Sequence, residues 1–211
     1  MSPDLASIRT EYELGGLSEH EAGDDPMALF ARWFEQARQG GVHEPNAMVL
    51  GTLGPSGPTT RTVLLKGLDE QGFVFFTNQT SRKGRELAAD PRCCLLFPWF
   101  QIQRQVRIEG TAAPLPRAQS EAYFATRPRA SQIGAWASTQ SQVVDGREDL
   151  EQAYARYDAQ YPDQVPCPPY WGGYLVEPDH LEFWQGRRGR MHDRLLFRRR
   201  PHGWVRERLA P

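Results

Sequence analysis

Lysine is nearly absent from this chain, whose 25 basic residues comprise 23 arginines and two lysines, Lys66 and Lys83. A compact ammonium and a planar guanidinium bind phosphate oxygens differently, so the two residue types are not interchangeable at a tight anion site. Both lysines stand close to arginines, in the segments 61–66 and 81–83. The pattern predicts that both lysines bind anions. The alternative is that an arginine-rich composition leaves its few lysines at arbitrary positions.

Cysteines are also few, and long apolar runs are missing. Cys93, Cys94 and Cys167 have neither metal-ligand spacing nor the arrangement of a disulfide framework, so we predict buried free thiols and no metal site. No run reaches the ~18 apolar residues of a spanning helix, and residues 1–4 lack the start of a secretory signal. The net charge of −1 argues against general nucleic-acid or membrane-surface binding. We therefore expect a cytoplasmic protein with no membrane and no nucleic-acid partner.

Length and patterning predict the fold. The 211 residues, 39% of them hydrophobic, suffice for one domain with a terminal arm, and we place the arm or lid at 1–25 and the domain at 26–211. Asp25-Pro26 predicts a helix that continues to Gln39, and further helices are expected at 4–13, 81–89, 116–126 and 147–160. Strands are predicted at 47–53, 59–68, 73–78, 92–99, 102–113, 172–177, 180–185, 194–199 and 204–209. So many strands with short turns indicate a mostly β fold with flanking helices, in which a closed or nearly closed antiparallel barrel leaves few exposed edges.

The first candidate site combines three cations. Arg82 and Lys83 follow Ser81 at a predicted helix start, where unpaired backbone N–H groups favour an anion. Arg61 lies on a neighbouring predicted strand and can converge on them. The set suits a phosphate monoester. The alternative is a solvated helix end with ordinary surface charge.

The second candidate site follows from helical spacing. Tyr123 and Arg127 are four residues apart and share one face of a predicted helix. Pro128 ends that helix, and Ser131 is expected to cap the next one. We interpret this segment as a second phosphate site, to which Lys66 contributes from the far end of its strand. A surface Tyr–Arg pair beside an ordinary cap is the alternative.

The third candidate site lies near the C-terminus. Arg190 and His192, two residues apart, are expected on one face of a strand, with Trp184 as an aromatic wall. A cation beside a neutral imidazole can bind an electron-rich ring and transfer a proton to or from it. The alternatives are a core tryptophan and a basic edge strand that protects the sheet.

Together these segments resemble the pyridoxine/pyridoxamine 5′-phosphate oxidase family. The resemblance spans nearly the whole chain. Its most specific part is the closing run, which contains Phe183-Trp184-Gln185-Gly186, then Arg190-Met191-His192-Asp193-Arg194, then Arg208-Leu209-Ala210-Pro211.

The resemblance implies an FMN-binding split β-barrel that forms a homodimer through its C-terminal strands, with both subunits contributing to each active site. The residues that it assigns to FMN are Arg61, Thr62, Val63, Leu64, Leu65, Lys66, Phe76, Thr77, Arg82, Lys83, Gln105, Gln140, Ser141, Trp184 and Arg194. Those that it assigns to the phosphorylated vitamer are Lys66, Tyr123, Arg127, Ser131, Arg190, Met191, His192, Arg9 and Tyr12. Arg9 and Tyr12 match an N-terminal Arg-x-x-Tyr of the family and are expected to act as a lid.

The resemblance also implies a reaction. Arg190 and His192 are the expected catalytic residues, which flank the pyridine ring of pyridoxine 5′-phosphate or pyridoxamine 5′-phosphate and position its C4′ carbon for hydride transfer to the flavin. Oxygen then reoxidises the flavin and yields hydrogen peroxide, and the product is pyridoxal 5′-phosphate. The cofactor performs the redox step while the protein orients the substrate.

Two other functions remain open. One is that of a flavin oxidase of phenazine biosynthesis, which shares the fold and the FMN site but has no need of a phosphate site built from Tyr123, Arg127 and Ser131. The other is a non-enzymatic FMN- or anion-binding module whose arginine-rich end contacts a partner. The sequence departs from some relatives at 18–20, Ser-Glu-His, where they are basic, so an accessory anion site is not expected there.

Overall fold

The computed structural model describes residues 4–7 and 11–211. Its α-helices are α1 (Glu19–Ala22), α2 (Pro26–Gln39), α3 (Arg82–Ala89), α4 (Arg117–Ala125), α5 (Arg129–Ala137) and α6 (Arg147–Gln160). Its strands are β1 (Ala47–Gly54), β2 (Gly57–Leu64), β3 (Gly67–Leu68), β4 (Phe73–Asn78), β5 (Arg92–Trp99), β6 (Arg104–Pro114), β7 (Trp171–Gln185), β8 (Asp193–Arg200) and β9 (Gly203–Arg208). Short 3₁₀ helices span Leu5–Ser7, Phe100–Ile102 and Arg188–Arg190. Within the described part of the chain, no helix is both long and apolar enough to cross a membrane.

The strands pair in the order β2-β1-β5-β6-β7-β4-β3, while β8 pairs with β7 and β9 pairs with β8. In this order β2 and β3 are the two ends, and over the residues described they do not pair with each other, so the sheet is not closed. The predicted fold class, mostly β with flanking helices, is confirmed.

Two compact units make up the described chain. The first contains the residues up to Val49 together with 94–109 and 178–211, and the second contains 50–93 and 110–177.

Aromatic packing forms the core of the first unit. Phe30 of α2 meets Phe97 at a ring-centroid distance of 4.9 Å, and Trp33 meets Phe183 edge-on at 5.3 Å. The helix begins as predicted, because Asp25 Oδ1 accepts hydrogen bonds from the N–H groups of the first turn. In the same unit β8 pairs antiparallel with β7, from His180 opposite Arg198 to Gln185 opposite Asp193.

The second unit contains the helices α3 to α6, the strand β4 and the first half of β7, and α6 packs on α5. The two strands pair antiparallel from Phe73 opposite Val176 to Asn78 opposite Trp171. Phe124 of α4 and Ile133 of α5 are buried in one cluster with Val165 and Trp171. This cluster fixes α4 and α5 beside the end of β4.

Three predicted strands have different limits in the structure. The segment 59–68 is not one strand, since β2 ends at Leu64, Lys66 N–H donates to the carbonyl of Val74, and β3 follows. Nothing in the apolar sequence marks that break. Conversely, 172–177 and 180–185 belong to the single strand β7, which continues through Pro178. Proline does not end a strand where its missing N–H is not needed for pairing.

The prediction that Arg190 and His192 share a strand face is wrong. Gly189 and Arg190 have φ angles of 62° and 61°, which lie in the left-handed region, so the chain turns there and β8 begins only at Asp193. Both residues therefore lie in the β7–β8 connection.

The prediction that Ser131 caps a helix is also wrong. Pro128 occupies the N-cap position of α5, and its carbonyl accepts a hydrogen bond from Ser131 N–H, so Ser131 lies inside the first turn. The prediction underestimated how well the restricted φ of proline suits a helix start. The helix expected after Pro128 is present as α5 but begins already at Arg129, whereas the short α1, with Ser18 and Glu21 in a capping box, was not predicted.

Two smaller predictions need correction. The described part of 4–13 contains a 3₁₀ helix at Leu5–Ser7 in place of an α-helix. Within the described chain the three cysteines form no disulfide, but Cys93 alone is buried, whereas Cys94 is exposed and Cys167 is half-buried. Cys93 and Cys94 differ because successive side chains of β5 point to opposite faces of the sheet.

Candidate cofactor and substrate site

A buried carboxylate joins two arginines of the second unit. Glu86 Oε2 accepts hydrogen bonds from Arg61 Nη2 at 2.9 Å and from the hydroxyls of Thr52 and Thr59 at 2.6 and 2.7 Å. Its Oε1 accepts from Arg82 Nε at 2.8 Å. Burial raises the pKa of this carboxyl, but the four donors outweigh burial and hold the pKa at about 2. The carboxylate is therefore ionised at neutral pH.

Lys83 lies beside this pair and is buried. Its Nζ donates to Gln140 Oε1 at 2.8 Å and to Thr77 Oγ1 at 3.2 Å. Burial, and then repulsion from Arg61, lower the pKa of Lys83 from 10.5 to about 8. An ammonium whose pKa falls in this way is stabilised by any anion that binds next to it.

The predicted convergence of the first site is present in the structure. Arg61, Arg82 and Lys83 meet around Glu86, and Ser141 Oγ accepts a hydrogen bond from Arg82 N–H at 3.2 Å. Three cations and one carboxylate leave this cationic cluster with two positive charges. A phosphate monoester carries about −1.5 to −2 near neutral pH, so the cluster matches it in charge.

A cavity of about 640 Å³ opens beside the cluster. This volume is within the range of roughly 300–1,000 Å³ that is common for small-molecule sites. Its walls are all in the second unit, and the lining residues are Arg61, Thr62, Val63, Leu64, Lys66, Phe76, Thr77, Asn78, Lys83, Tyr123, Arg127, Ser131, Gly134, Ala135, Ser138, Gln140 and Trp171.

Stacked aromatic rings form another wall of the cavity. Phe76 stacks on Tyr123 with ring centroids 4.0 Å apart and on Trp171 at 5.3 Å. The guanidinium carbon of Arg127 lies 4.7 Å from the Trp171 ring centroid, within the range of cation–π attraction. Burial raises the pKa of the Tyr123 phenol, so its hydroxyl keeps its proton and can donate.

Arg127 has an unused donor. Its Nη1 is buried and has no hydrogen-bond partner among residues 4–7 and 11–211. An unpaired buried donor is costly, and burial accordingly lowers the pKa of this guanidinium. An anion in the cavity would accept a hydrogen bond from Nη1 and would stabilise the positive charge of the buried guanidinium. This observation supports the predicted second anion site.

The first unit holds the other predicted residues. The ring centroids of His192 and Trp184 are 4.6 Å apart. The ring centroid of Tyr12 lies 5.7 Å from that of His192 and 5.6 Å from that of Trp184. His192 Nδ1 accepts the backbone N–H of Arg187 at 3.1 Å, which assigns the imidazole proton to Nε2. Burial, and then Arg190, lower the pKa of His192, so the ring is neutral near pH 7.

Arg194 is fixed by a second buried carboxylate. Its Nε donates to Glu182 Oε1 at 2.7 Å, while Glu182 Oε2 accepts from Arg107 Nη2 at 2.8 Å. The other end of the Arg194 guanidinium donates to the carbonyl of Ala210. The C-terminal segment thus holds Arg194 in place.

The predicted site residues divide between the two units. Those in the second unit are Arg61, Thr62, Val63, Leu64, Leu65, Lys66, Phe76, Thr77, Arg82, Lys83, Tyr123, Arg127, Ser131, Gln140 and Ser141. All of them line the cavity except three: Leu65 is buried, Arg82 belongs to the cationic cluster but lies outside the cavity lining, and Ser141 accepts the Arg82 N–H. Those in the first unit are Tyr12, Gln105, Trp184, Arg190, Met191, His192 and Arg194, and Arg9 lies outside the described residues.

Sequence reasoning missed two residues of this site. Glu86 follows Arg82 by four positions on α3, a spacing that predicts an ion pair, but only the fold brings Arg61 to the same carboxylate. Trp171 was not named as a site residue, and its place under Arg127 appears only in the structure. No local sequence pattern signals either long-range contact.

Fold and site together define a class, that of mostly β proteins with a small-molecule cavity lined by cationic side chains. The family model for pyridoxamine 5′-phosphate oxidase matches residues 34–161, and the model for the pyridoxine 5′-phosphate oxidase C-terminal dimerisation region matches residues 171–211. The chain belongs to the pyridoxamine 5′-phosphate oxidase family, which is a family of enzymes. The resemblance identified from the sequence is therefore confirmed.

Curated relatives agree with this membership. A pyridoxine/pyridoxamine 5′-phosphate oxidase of Nocardioides sp. is 62% identical over 99% of this chain and 98% of the relative. One of Rubrobacter xylanophilus is 55% identical over 99% of this chain and 97% of the relative.

Solved structures confirm the fold. PhzG from Burkholderia lata 383, in complex with tetrahydrophenazine-1-carboxylic acid, superposes with a TM-score of 0.89 at 30% identity over 96% of this chain and 100% of its own. A pyridoxamine 5′-phosphate oxidase-related, FMN-binding protein from Nostoc punctiforme reaches a TM-score of 0.70 at 18% identity over 87% and 96%. The likeness to these structures and the open sheet order agree with the predicted split barrel.

Proposed function

We propose that this chain is an FMN-dependent oxidase that converts pyridoxine 5′-phosphate or pyridoxamine 5′-phosphate to pyridoxal 5′-phosphate. The observation that carries the proposal is one cavity with two separate cationic groups, the cluster of Arg61 and Lys83 and the unpaired Nη1 of Arg127. A reaction between a phosphorylated cofactor and a phosphorylated substrate needs two such groups. The relatives named as oxidases of these two vitamers support the same substrates.

The cationic cluster would hold the FMN phosphate. Lys83 offers an ammonium with a lowered pKa, and Arg61 is fixed on β2 by Glu86. Thr77, Gln140 and the segment 61–66 apart from the buried Leu65 line the same cavity, and this segment with Thr77 and Gln140 would contact the rest of the cofactor. FMN, when bound, supplies the acceptor for a hydride from substrate C4′ and passes the electrons to oxygen, giving hydrogen peroxide.

The second anion group would hold the phosphate of the vitamer. Arg127 would donate its free Nη1 to a phosphate oxygen, and the Tyr123 phenol, Ser131 and Lys66 would complete the contacts. Charge-assisted bonds of this kind are short and strong. This group would therefore orient the substrate ring against the cofactor.

The residues of the first unit would act from the other side of the substrate. Arg190 and the neutral His192 would flank the pyridine ring, Met191 would contact it, and Trp184, Gln105 and Arg194 would contact the flavin. We propose that they come from a second copy of the chain in a homodimer, because the family's dimerisation region spans 171–211. The segment 1–25 would form a lid, since Tyr12 lies against Trp184 and His192.

Oxygen consumption and peroxide release by the FMN-loaded protein test this proposal, with each phosphorylated vitamer as substrate. We expect a yellow protein that oxidises both. A colourless protein that takes up no added FMN would overturn the proposal, and FMN binding without oxygen consumption would favour a non-enzymatic FMN-binding module. A monomer in light scattering that is fully active would contradict the shared site.

A second candidate function follows from the likeness to PhzG, which was solved with a reduced phenazine carboxylic acid. A chain with that activity would oxidise such a tricyclic acid, which has no phosphate. The identity of 62% to a named vitamer oxidase, against 30% to PhzG, favours the vitamers. The same oxygen assay with tetrahydrophenazine-1-carboxylic acid separates the two functions.

A further inference from the structure

We propose that Glu86 is a positioning residue that arranges the phosphate-binding cations of the cofactor site. It acts through Arg61 and Arg82, which its two carboxylate oxygens hold at fixed positions beside Lys83. This inference rests on the proposed function, because the anion that the cluster would bind is the phosphate of FMN.

The geometry distinguishes this carboxylate from an ordinary surface ion pair. Arg61 comes from β2 and Arg82 from α3, so neither backbone element by itself fixes one guanidinium relative to the other. Glu86 joins them with one oxygen each, at 2.9 and 2.8 Å, and its side chain is only 4% exposed. Long arginine side chains lose rotamer freedom when they bind a ligand, and a carboxylate that fixes them beforehand reduces that loss.

The surroundings of Glu86 serve the same arrangement. Thr52 and Thr59 donate their hydroxyls to Oε2, so the carboxylate stays hydrogen-bonded on all sides and does not compete for a proton. A Cβ on Gly54 would lie 2.7 Å from Oε1, so a larger residue there would displace the carboxylate. Thr52 and Thr59 on two adjacent strands thus hold the Glu86 carboxylate by hydrogen bonds, and Gly54 leaves room for it.

Charge supports the inference. Arg61 repels Lys83, and after burial this repulsion is the second cause of the lowered pKa of Lys83, which Glu86 partly opposes. Glu86 reduces the cluster from three positive charges to two, which is the charge that a phosphate dianion neutralises. Without the carboxylate, the guanidiniums are expected to move apart towards solvent and no longer to point at the same phosphate.

The test compares binding of FMN with binding of riboflavin, which has the same ring system and no phosphate. For Glu86→Gln we expect FMN affinity to fall about tenfold, since at least one arginine loses its acceptor, while riboflavin affinity stays within about twofold. A structural role alone would weaken both ligands equally. That result, or an unchanged FMN affinity, would overturn the inference.

The matched control is Glu151→Gln. Glu151 accepts from Arg147 across the same four-residue spacing and at the same 2.8 Å, but both side chains are exposed on α6 and outside the cavity. We expect its affinities for FMN and riboflavin to equal those of the wild type. A loss in the control would show that the assay reports general charge and not position.

A second variant covers the case in which Glu86→Gln does not fold. Glu86→Asp keeps the charge but is one methylene shorter, so it cannot reach both guanidiniums, and we again expect a selective loss of FMN affinity. If the wild type itself binds FMN no better than riboflavin, the proposed function fails. If the wild type prefers FMN and both variants keep that preference, only the role of Glu86 fails.

Discussion

Two buried glutamates in different units hold pairs of arginines, but the two clusters differ in charge. Glu86 and Glu182 have exposed side-chain fractions of 4% and 7%, and each accepts from two arginines on separate elements. Around Glu86, three cations face one carboxylate. Around Glu182, Arg107 also pairs with Glu109, so two cations face two carboxylates.

The net charge of each cluster separates the roles of the two glutamates. In the second unit the cluster keeps two positive charges, lines a cavity through Arg61 and Lys83, and is suited to an anion. In the first unit the charges cancel, and Arg194 is tied to Ala210 as well. We therefore expect the second unit to govern recognition of phosphates, and the first unit to govern turnover and stability.

The largest expected effect concerns Arg127. Each charge-assisted bond to a phosphate is worth about 1.5–3 kcal/mol, so several together should make unphosphorylated pyridoxine a poorer substrate by on the order of a thousandfold. Arg127→Ala should reduce this preference, because it should lower the catalytic efficiency on pyridoxine 5′-phosphate and leave that on pyridoxine nearly unchanged. Catalytic efficiency, kcat/KM, on both substrates for wild type and variant measures this. Equal losses on the two would mean that Arg127 supports structure only.

His192→Ala should lower turnover about a hundredfold, as is typical for loss of a group that handles a proton or orients a ring. Its affinity for FMN should change little, because the residue is assigned to the substrate side. Flavin fluorescence titration and steady-state rates separate the two quantities. If the variant lost FMN but the remaining holoenzyme kept its rate, His192 would belong to the cofactor site.

Lys83 should make FMN affinity depend on pH. The folded pKa of about 8 lies below 10.5, so between these values the unfolded chain binds the proton more strongly, and the stability of the apoprotein should rise with pH. FMN prefers the charged ammonium, so its affinity should fall above pH 8 by up to about tenfold per pH unit. Titrations from pH 7 to 10 test this, and the Lys83→Met variant should show a flat and weaker profile. A slope that persists in that variant would assign the titration to another group.

The smallest effect is expected for Glu182→Gln on phosphate recognition. This change removes an acceptor from the charge-balanced cluster, so it should lower the free energy of unfolding by about 1–3 kcal/mol. The ratio of FMN affinity to riboflavin affinity should stay within about twofold of the wild-type value. Denaturant unfolding and the two binding titrations measure these quantities. A selective loss of FMN affinity, like that expected for Glu86→Gln, would show that the two clusters do not differ in role.

Much of the fold was readable from local pattern. Asp25-Pro26 has a cap and a proline suited to a helix start, and α2 begins there because both act within one turn. The bounds of β4 and α3 also agree with the prediction, because Gly72 stands directly before the strand and Ser81 caps the helix. The break after Leu64 and the continuity through Pro178 depend on which strand lies alongside, and no local signal carries that information.

The family could be identified from the amino-acid sequence alone, because the closing run is specific and the segments around the two lysines agree with it. The sequence also determined that Arg82 and Lys83 stand at a helix start beside Arg61. The contact of Glu86 with two of these cations, the stacking of Arg127 on Trp171 and the burial of Arg127 Nη1 without a partner among the described residues became visible only in the folded chain. The physical reason is that spacing along a helix or strand fixes local neighbours, whereas burial of a charge and the donors that satisfy it are set by segments far apart in the chain.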